Sequence, residues 1–416
     1  MKILLYGINF APELTGIGKY TGEMAAWLAA RGHQVRVITA PPYYPAWQVS
    51  PGYSASRYTT EQWQGVTVMR TPLWVPARPG GAKRLLHLAS FALGSLPVLL
   101  RQWFWRPNVV WVVEPPLFCA PAAAMLARLA GGKAWLHIQD YEVDAAFDLG
   151  LLKGAALRRC VVAAEGWLMR RFHRVSTISG RMLGRAQAKG VDAARLVSFP
   201  NWVDISAIQP LRGPSPYRAE LGIAADAVVA LYSGNMGGKQ GLEVLAEAAR
   251  LLTDQPQVQF VLCGGGAGRA DLVQRCLGLP NVRFLDLQPV ERLSDLLGLA
   301  DIHLLPQRAD AADLVMPSKL TGMLASGRAV VATAHPHTEL GRVVAQHCGV
   351  VVPPEDAAAL AGAIRTLAAD APRRAQLGRS ARAYALAELD RDAVLARFEA
   401  QLLACVGQGA GTAIAG

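Results

Sequence analysis

The sequence lacks the marks of several protein classes. Its six cysteines are scattered, without a C-x-x-C pair or other metal-ligand spacing, which excludes a zinc module or a disulfide framework and indicates a reducing compartment. The apolar start Ile3–Tyr6 is interrupted by Gly7 and Asn9 and is too short for the core of a signal peptide, so we expect the protein to remain in the cytoplasm. No run reaches the roughly 20 apolar residues that span a bilayer.

Charged residues are few, and positive ones outnumber negative ones. Only 18% of the 416 residues are charged against 52% hydrophobic, and the net charge is +11. The length predicts two domains with large cores, and the positive balance favours an anionic partner such as a phosphorylated ligand or a lipid head group. No basic stripe is interleaved with aromatic residues, so we do not expect nucleic acid as a partner.

Short apolar runs alternate with helical patterns along most of the chain, which predicts an α/β fold with parallel sheets covered on both faces. A proline-rich stretch without periodicity, made of Pro200–Asp204 and Gln209–Pro216, is typical of a linker. We expect one domain over residues 1–203, a second over 204–388, and a C-terminal helical segment over 389–416. The expected strands are Ile3–Tyr6, Val35–Thr39, Val66–Arg70, Val109–Val113, Ala134–Ile138, Arg174–Ile178, Val197–Phe199, Val228–Tyr232, Val258–Cys263, Val282–Leu285, Ile302–Leu305, Ala329–Ala332 and Val350–Val352.

The second half opens with a strand and a glycine-rich loop, Val228–Leu242, that includes Gly234, Asn235 and Lys239. Main-chain N–H groups of such a loop and of the following helix start can hold a phosphate, and Lys239 adds a full charge. We therefore predict that this loop binds the diphosphate of a nucleotide.

Two further segments are expected to face the same anion. Gly265 and Gly266 follow the strand Val258–Cys263, where a backbone can approach a ligand closely or simply turn tightly. Ser318, Lys319 and Leu320 begin a helix that Ser318 is expected to cap; a solvated helix charge is the alternative for Lys319.

The first half carries a similar set of glycines and polar residues at the ends of its strands. Gly16 and Gly18 open a helix after the first strand and are either a flexible turn or a ligand loop. His137 and Asp140 close the strand Ala134–Ile138, and Glu114 ends its neighbour. An imidazole or carboxylate there could orient an attacking hydroxyl or accept its proton, although a lone strand histidine is commonly a satisfied core residue.

Residues 82–106 form a basic and apolar segment with helical spacing. Its uncharged run, Leu85–Leu100, is too short to cross a bilayer. We expect either an amphipathic element in the membrane interface, with Lys83, Arg84 and Arg101 near head groups, or an ordinary helix packed on the first sheet.

No compact Asp-x-Asp pair is present. Asp310 and Asp313 are separated by two intervening residues and suit ordinary loop carboxylates. We expect no metal ion and no other cofactor, because cations and helix ends can neutralise a leaving diphosphate.

Taken together, these motifs resemble the GT4 family of GT-B glycosyltransferases over nearly the whole chain, and within it the colanic-acid biosynthesis fucosyltransferase branch. The segments that carry the resemblance are Tyr6–Tyr20, Thr39–Pro45, Gln139–Asp140, Ser233–Gly237 and Met316–Leu320. The resemblance implies two facing Rossmann-like domains braced by a C-terminal helix. It also implies retaining transfer of a sugar, with GDP-fucose as donor and a lipid-diphosphate-linked saccharide at the inner face of the cytoplasmic membrane as acceptor.

By that resemblance, Gly16, Gly18 and Lys19 belong to an acceptor-side loop, His137 is the active-site histidine and Lys239 is the diphosphate lysine. Two positions depart from the family. Asn235 replaces a common arginine, and a Glu-x7-Glu pair that holds the ribose is replaced by Leu314 and Gly322. A nucleotide-sugar epimerase and an inactive nucleotide-sugar-binding subunit therefore stay open as alternatives.

Overall fold

The structure, a computed structural model, describes residues 1–13, 16–77, 80–148, 154–237, 240–309 and 317–407. It divides into two compact units. The first is Met1–Pro200 together with the chain from Leu395, and the second is Asn201–Val394.

The first unit is built on a sheet of eight strands in the order β3-β4-β2-β1-β5-β6-β7-β8, in which only the β3–β4 pair is antiparallel. The strands are β1 Lys2–Tyr6, β2 Gln34–Thr39, β3 Thr59–Trp63, β4 Val66–Arg70, β5 Val109–Glu114, β6 Lys133–Ile138, β7 Arg174–Thr177 and β8 Leu196–Ser198. The helices are α1 Gly16–Ala30, α2 Gly81–Arg101, α3 Ala120–Ala130, α4 Glu142–Asp148, α5 Ala155–Met169 and α6 Gly180–Ala188.

The second unit holds a six-stranded, wholly parallel sheet in the order β11-β10-β9-β12-β13-β14. Its strands are β9 Val228–Ser233, β10 Val258–Cys263, β11 Val282–Leu285, β12 Ile302–Leu305, β13 Ala329–Thr333 and β14 Gly349–Val352. The helices are α7 Tyr217–Glu220, α8 Glu243–Leu251, α9 Arg269–Arg275, α10 Leu293–Leu299, α11 Lys319–Ala325, α12 Glu339–Val343, α13 Ala357–Ala369, α14 Ala371–Tyr384 and α15 Arg391–Gly407.

The central strands are apolar throughout because helices cover both faces of each sheet. Every residue of β5 and of β9 is buried, which is the pattern of strands in a covered parallel sheet. The predicted α/β fold with two parallel-sheet units is therefore confirmed, and each predicted strand is present to within a residue or so. Of the six free cysteines, Cys160 is exposed and the other five are buried.

One strand, β3, was not predicted from the sequence. Its residues Thr59–Trp63 are mostly exposed and polar, so they lack the alternation that marks a half-buried strand. Gln64 and Gly65 both adopt positive φ angles, 48° and 80°, as a two-residue hairpin turn requires. The Gln64-Gly65 dipeptide ahead of β4 was the available signal.

The predicted linker packs on the second unit. Ile208, between its two parts, is 8% exposed within that unit's core, and Ser215 Oγ donates to the carbonyl of Asp295 at 2.7 Å. The division between the units falls between Pro200 and Asn201, a few residues before the expected position.

Helix α15 begins in the second unit, and its residues from Leu395 belong to the first. Phe398 is 2% exposed and stacks on Phe199 with ring centroids 4.2 Å apart, and it meets Trp135 edge-on at 5.2 Å. Glu399 accepts hydrogen bonds from Arg31 Nε and pairs with His33 Nε2, each at 2.7 Å. The aromatic cluster thus joins helix α15 to Trp135 of β6 and to Phe199, which follows β8.

Replacing Phe398 by alanine is expected to destabilise the first unit by about 3–5 kcal/mol, since it opens a cavity among large aromatic side chains. Leu403→Ala on the same helix is the matched control, because Leu403 is 52% exposed, and a change within about 0.5 kcal/mol is expected there. Urea unfolding followed by tryptophan fluorescence measures both. Equal effects of the two substitutions would contradict the assigned packing.

Candidate functional site

Two glycine-rich loops lie side by side at the carboxyl edge of the second sheet. They follow β9 and β10, which pair in parallel so that Ser233 lies opposite Cys263. The main chains of the loops are hydrogen-bonded to each other: Gly234 N donates to Cys263 O at 3.0 Å and Met236 N to Gly265 O at 2.8 Å. Ligands of open parallel sheets bind at this edge.

The close approach of the loops explains two of the glycines. A Cβ on Gly264 would lie 2.0 Å from Gly234 O, and one on Gly266 would lie 2.6 Å from Asn235 Oδ1. At Gly265 a Cβ would meet nothing within 4 Å, so this residue faces open space. Gly264 and Gly266 are thus required by packing of the loops, and Gly265 is left beside a space that a ligand could occupy.

Three main-chain N–H groups at this edge make no hydrogen bond among the described residues: those of Asn235, Gly265 and Gly266. The N–H of Gly234 is used between the loops, and that of Gly237 donates to Gln240 Oε1 at 3.0 Å. Of the predicted donor-binding glycines, Gly265 and Gly266 therefore keep a free donor, whereas Gly234 serves to join the loops.

Lys319 lies against the same loops. Its Nζ donates to Tyr232 Oη at 2.8 Å and lies 4.3 Å from the centroid of that ring, and Tyr232 Oη in turn donates to Asn235 O at 2.6 Å. A Cβ on Gly234 would come within 3.0 Å of Lys319 Nζ. Burial lowers the pKa of Lys319 to about 8, so the ammonium is mostly charged at neutral pH and is poorly solvated.

The neighbours of Lys319 differ from expectation. Ser318 does not cap α11 with its side chain; it is exposed, and its carbonyl accepts from Thr321 Oγ1 at 2.9 Å. Leu320 is 1% exposed within the core and its N–H donates to Pro317 O. Leu320 therefore supports the helix start, and Lys319 is the residue of this segment that reaches the loops.

Several predicted residues cannot be placed. Lys239, Asp310 and Asp313 lie outside the described residues. Among the described residues, no group of three His, Cys, Asp or Glu side chains is positioned to hold a metal ion, and the expected absence of a metal stays a prediction.

The sequence reasoning missed Tyr232 and Arg308. Arg308 follows β12, the neighbour of β9, and a Cβ on Gly241 would lie 3.1 Å from its Cγ. Its guanidinium pairs with Glu243 at 3.3 Å and with Glu355 at 3.4 Å. A cation directly after the carboxyl end of a strand was the available signal.

In the first unit, the loop after β1 is organised by Glu13. This carboxylate accepts hydrogen bonds from the N–H groups of Tyr43 and Tyr44 at 3.1 and 3.0 Å and from Asn9 Nδ2 at 2.9 Å. A Cβ on Gly18 would lie 2.6 Å from Glu13 Oε2. Gly18 is thus required so that α1 can start beside this buried carboxylate, which the sequence analysis did not single out.

Two other predicted residues, Gly16 and Asp140, lie around Tyr44. A Cβ on Gly16 would come 3.9 Å from its ring, and the charge of Asp140 raises the pKa of its hydroxyl, second only to burial. Tyr44 is 41% exposed. Gly16, Tyr44 and Asp140 therefore share the carboxyl edge of the first sheet. Lys19 instead pairs with Glu23 one turn along α1, at 3.8 Å.

His137 is buried and fully hydrogen-bonded. Gln139 Nε2 donates to its Nε2 at 3.0 Å, so the ring proton resides on Nδ1 and is donated to Ser176 Oγ at 2.9 Å. The ring stacks on Trp111 with centroids 5.1 Å apart. Burial lowers its pKa to about 3, which keeps the imidazole neutral at physiological pH. In this conformation His137 is placed to orient its neighbours, and its predicted role in proton transfer stays a prediction.

Glu114, predicted on the acceptor side, is completely buried at the end of β5. Its Oε1 accepts from the N–H of Glu142 at 3.3 Å, and Oε2 has no hydrogen-bond partner among the described residues. Burial and the nearby carboxylates of Glu165 and Glu142 raise its pKa well above the ordinary value, which favours the protonated form. Glu114 therefore lies behind the surface of this edge.

Helix α2 packs on the first unit with one face and exposes an apolar stripe on the other. Phe91 and Ser95 contact Tyr6 of β1, the serine Oγ lying 2.6 Å from the tyrosine Oη. The stripe consists of Leu86, Leu93, Leu100 and, beyond the helix end, Phe104, which are 60%, 72%, 44% and 82% exposed. The expectation of a helix packed on the first sheet thus holds for one face of α2, and the expected position of the other face in a membrane interface stays a prediction.

Among the described residues, α2 is the one helix long and apolar enough to cross a membrane by length and composition alone, a test that the core helix of a soluble protein also passes.

Two family models match the chain. The model described as "Glycosyl transferase 4-like domain" matches residues 15–202, and the one described as "Glycosyl transferases group 1" matches residues 227–370. The Escherichia coli (strain K12) protein WcaI, named as a glycosyl transferase of colanic acid biosynthesis, is 47% identical over 407 residues, which cover 96% of this chain and 98% of WcaI.

Solved structures agree on the fold. Sucrose-phosphate synthase from Thermosynechococcus elongatus aligns with a TM-score of 0.75 at 19% identity and covers 97% of this chain and 99% of its own. The Anabaena protein HepE, solved in complex with UDP and glucose, aligns with a TM-score of 0.69 at 16% identity. The alignment covers 97% of this chain and 100% of the HepE chain. With two parallel-sheet Rossmann-like units, both family models and a close full-length relative, the chain belongs to the GT4 glycosyltransferases of the GT-B fold.

Proposed function

We propose that this glycosyltransferase moves fucose from GDP-fucose onto a lipid-diphosphate-linked saccharide during colanic acid assembly, with retention at the anomeric carbon. The full-length identity to WcaI supports the pathway, and the resemblance to the fucosyltransferase branch supports the sugar. The observation that carries the proposal is the anion-binding geometry at the carboxyl edge of the second sheet.

The donor diphosphate would lie against the paired loops. Asn235, Gly265 and Gly266 offer three N–H groups without partners among the described residues, and Lys319 adds a cation held in place by Tyr232. Among the described residues no carboxylate pairs with Lys319. Because this ammonium has lost solvation without gaining an ionic partner, an arriving diphosphate would stabilise it strongly.

These groups serve the reaction by stabilising the leaving group. The acceptor oxygen forms a bond to the anomeric carbon while the bond from that carbon to the diphosphate oxygen breaks, and the hydroxyl proton passes to a phosphate oxygen on the same face. Negative charge grows on the diphosphate, where the N–H groups and Lys319 oppose it. Lys239 is the predicted second cation. We expect no divalent metal, since these groups can neutralise the leaving diphosphate.

The acceptor would approach the edge of the first unit formed by Gly16, Tyr44 and Asp140. Glu13 fixes the backbone at Tyr43 and Tyr44, so Tyr44 is held in a defined position while its ring remains partly exposed. The half-exposed Asp140 is the carboxylate of this edge that a sugar hydroxyl could reach.

The membrane is proposed as a partner of helix α2. The segment Gly81–Arg106 contains no acidic residue, and Lys83, Arg84 and Arg101 flank its exposed apolar stripe. Burial and the charge of Asp140 raise the pKa of Tyr44, and the positive charge of Arg84 partly opposes that rise, which indicates that the first turn of α2 lies near the acceptor edge. An apolar stripe bounded by cations is typical of a helix lying in the interface of an anionic membrane, where a lipid-linked acceptor would be delivered.

Transfer of radiolabelled fucose from GDP-fucose to a lipid extract tests the function. We expect product with GDP-fucose, little with UDP- or dTDP-sugars, and unchanged product in EDTA. Lys319→Ala should lower kcat/KM about a hundredfold, as loss of one charge-stabilising group does. Arg379→Ala, an exposed residue of α14, is the control. A changed sugar from donor alone would instead identify an epimerase, and donor binding without turnover a binding subunit.

Donor affinity should fall as the pH rises through about 8, because Lys319 then loses its proton and the diphosphate binds the charged form. The diphosphate diester of a nucleotide sugar has no proton to lose in this range, and the guanine N1–H loses its proton only towards the upper end of it, so a fall centred near pH 8 belongs to the protein. Calorimetry from pH 6.5 to 9.5 measures it. Lys319→Arg should flatten the profile, and a fall that persists in this variant would assign the titration to another group.

Membrane binding should depend on the apolar stripe. Leu86→Ser combined with Leu93→Ser should weaken binding to vesicles containing phosphatidylglycerol tenfold or more, since each buried leucine contributes about 1.5–3 kcal/mol. Leu277→Ser with Leu287→Ser is the matched control, because these leucines of the second unit are 65% and 77% exposed. Lys83, Arg84 and Arg101 changed together to Glu should also abolish binding. Unchanged sedimentation of the α2 variants would overturn the membrane assignment.

A further inference from the structure

A basic cavity of about 260 Å³ lies in the first unit, at the amino ends of β6, β7 and β8. It is lined by Lys133, Arg171, Phe172, His173, Arg174, Arg195 and Cys405. Four of these residues are cations and none is an acid. A concave cluster of cations without a carboxylate favours an anionic ligand.

The cavity is separate from the candidate acceptor edge. Lys133 is the first residue of β6, whereas Ile138 is the last and is followed by Asp140. A strand of this length spans about 17–20 Å, at roughly 3.3 Å per residue. The cavity therefore lies at the opposite edge of the sheet, and no part of the proposed function uses it.

The positive charges act on one another across the cavity. After burial, the charges of Lys133, Arg195 and Arg174 are what lower the pKa of His173. Among the described residues, Lys133, Arg171 and Arg195 take part in no salt bridge. A bound anion would relieve this mutual repulsion.

The side chains are held in position and still offer donors. Arg195 donates through Nη1 to Arg170 O at 3.1 Å and has further N–H groups, and the Arg171 guanidinium lies 4.3 Å from the centroid of the Trp167 ring. His173 Nδ1 accepts from the N–H of Ala134 at 3.1 Å, so in the neutral ring Nε2 carries the proton and is a donor. Arginine guanidinium groups present paired N–H donors in a fixed plane, and they are preferred partners of phosphate oxygens.

We propose that this cavity binds a small multivalent phosphate, either a free diphosphate or the phosphorylated part of a lipid head group. The volume suits one or two phosphoryl groups and excludes a nucleic-acid duplex. Cys405 of α15 is part of the lining, so the ligand would also hold the last turns of α15 against the amino edge of the sheet.

Calorimetry and thermal shift with inorganic pyrophosphate on the full chain test the proposal. Because the donor loops would also take pyrophosphate, the titration is repeated in Lys319→Met. Binding and a raised melting temperature should survive in that variant and should be at least tenfold weaker in Arg171→Gln combined with Arg195→Gln. Arg373→Gln combined with Arg379→Gln in the second unit is the charge-matched control, because it also removes two exposed arginines, and it should bind as the unaltered chain does.

Arg195→Lys, which keeps the charge but not the fork, should retain part of the affinity, and circular dichroism establishes that the double variant is folded. Vesicles carrying phosphatidic acid form the second arm, in a chain that also carries Leu86→Ser and Leu93→Ser so that α2 does not contribute. Sedimentation that is lost when the folded double variant is built into this chain, without pyrophosphate binding, identifies a lipid head group as the source. Pyrophosphate and vesicle binding that are both unchanged in the double variant, or both absent from Lys319→Met, would overturn the proposal.

Discussion

The chemistry of the second unit depends on the contact between two loops that leaves no room for a side chain. With a Cβ on Gly264 only 2.0 Å from Gly234 O, the loops after β9 and β10 meet backbone to backbone. Their hydrogen bonds use some N–H groups and leave those of Asn235, Gly265 and Gly266 without a partner among the described residues. Lys319 extends along Gly234 to Tyr232, so the same contact also fixes the position of the cation.

In the first unit, a buried carboxylate holds two loops together. Glu13 accepts three hydrogen bonds and holds the segment after β2 against the loop after β1. Behind this surface lie groups that burial keeps uncharged: His137 with its lowered pKa and Glu114 with its raised one. Charge is thus concentrated at the partly exposed edge, at Asp140, while neutral polar groups support it from within.

The positions of most strands and of the glycine-rich loops along the chain could be predicted from the sequence. Continuous apolar runs and glycines at strand ends are local features that the sequence shows directly. The polar strand β3 could not, since only its pairing with β4 makes it a strand. Within the site, Lys319 lies against Gly234, and Gly265 and Gly266 lie on the loop that is hydrogen-bonded to the Gly234 loop; their predicted role in donor binding stays a prediction. The roles of Tyr232 and Glu13 depend on contacts between distant segments, which no spacing along the chain records. Ser318 was expected to cap its helix from residue type, but its backbone adopts a helical conformation that turns the hydroxyl away from that role.

The path of α15 has a consequence for synthesis of the chain. The ribosome completes Met1–Pro200 long before it reaches Phe398, whose ring covers Phe199 and Trp135. Until then the nascent first unit exposes an aromatic surface to the cytosol. The N-terminal unit therefore matures last although it emerges first, and a chaperone that shields aromatic surface has its longest opportunity there.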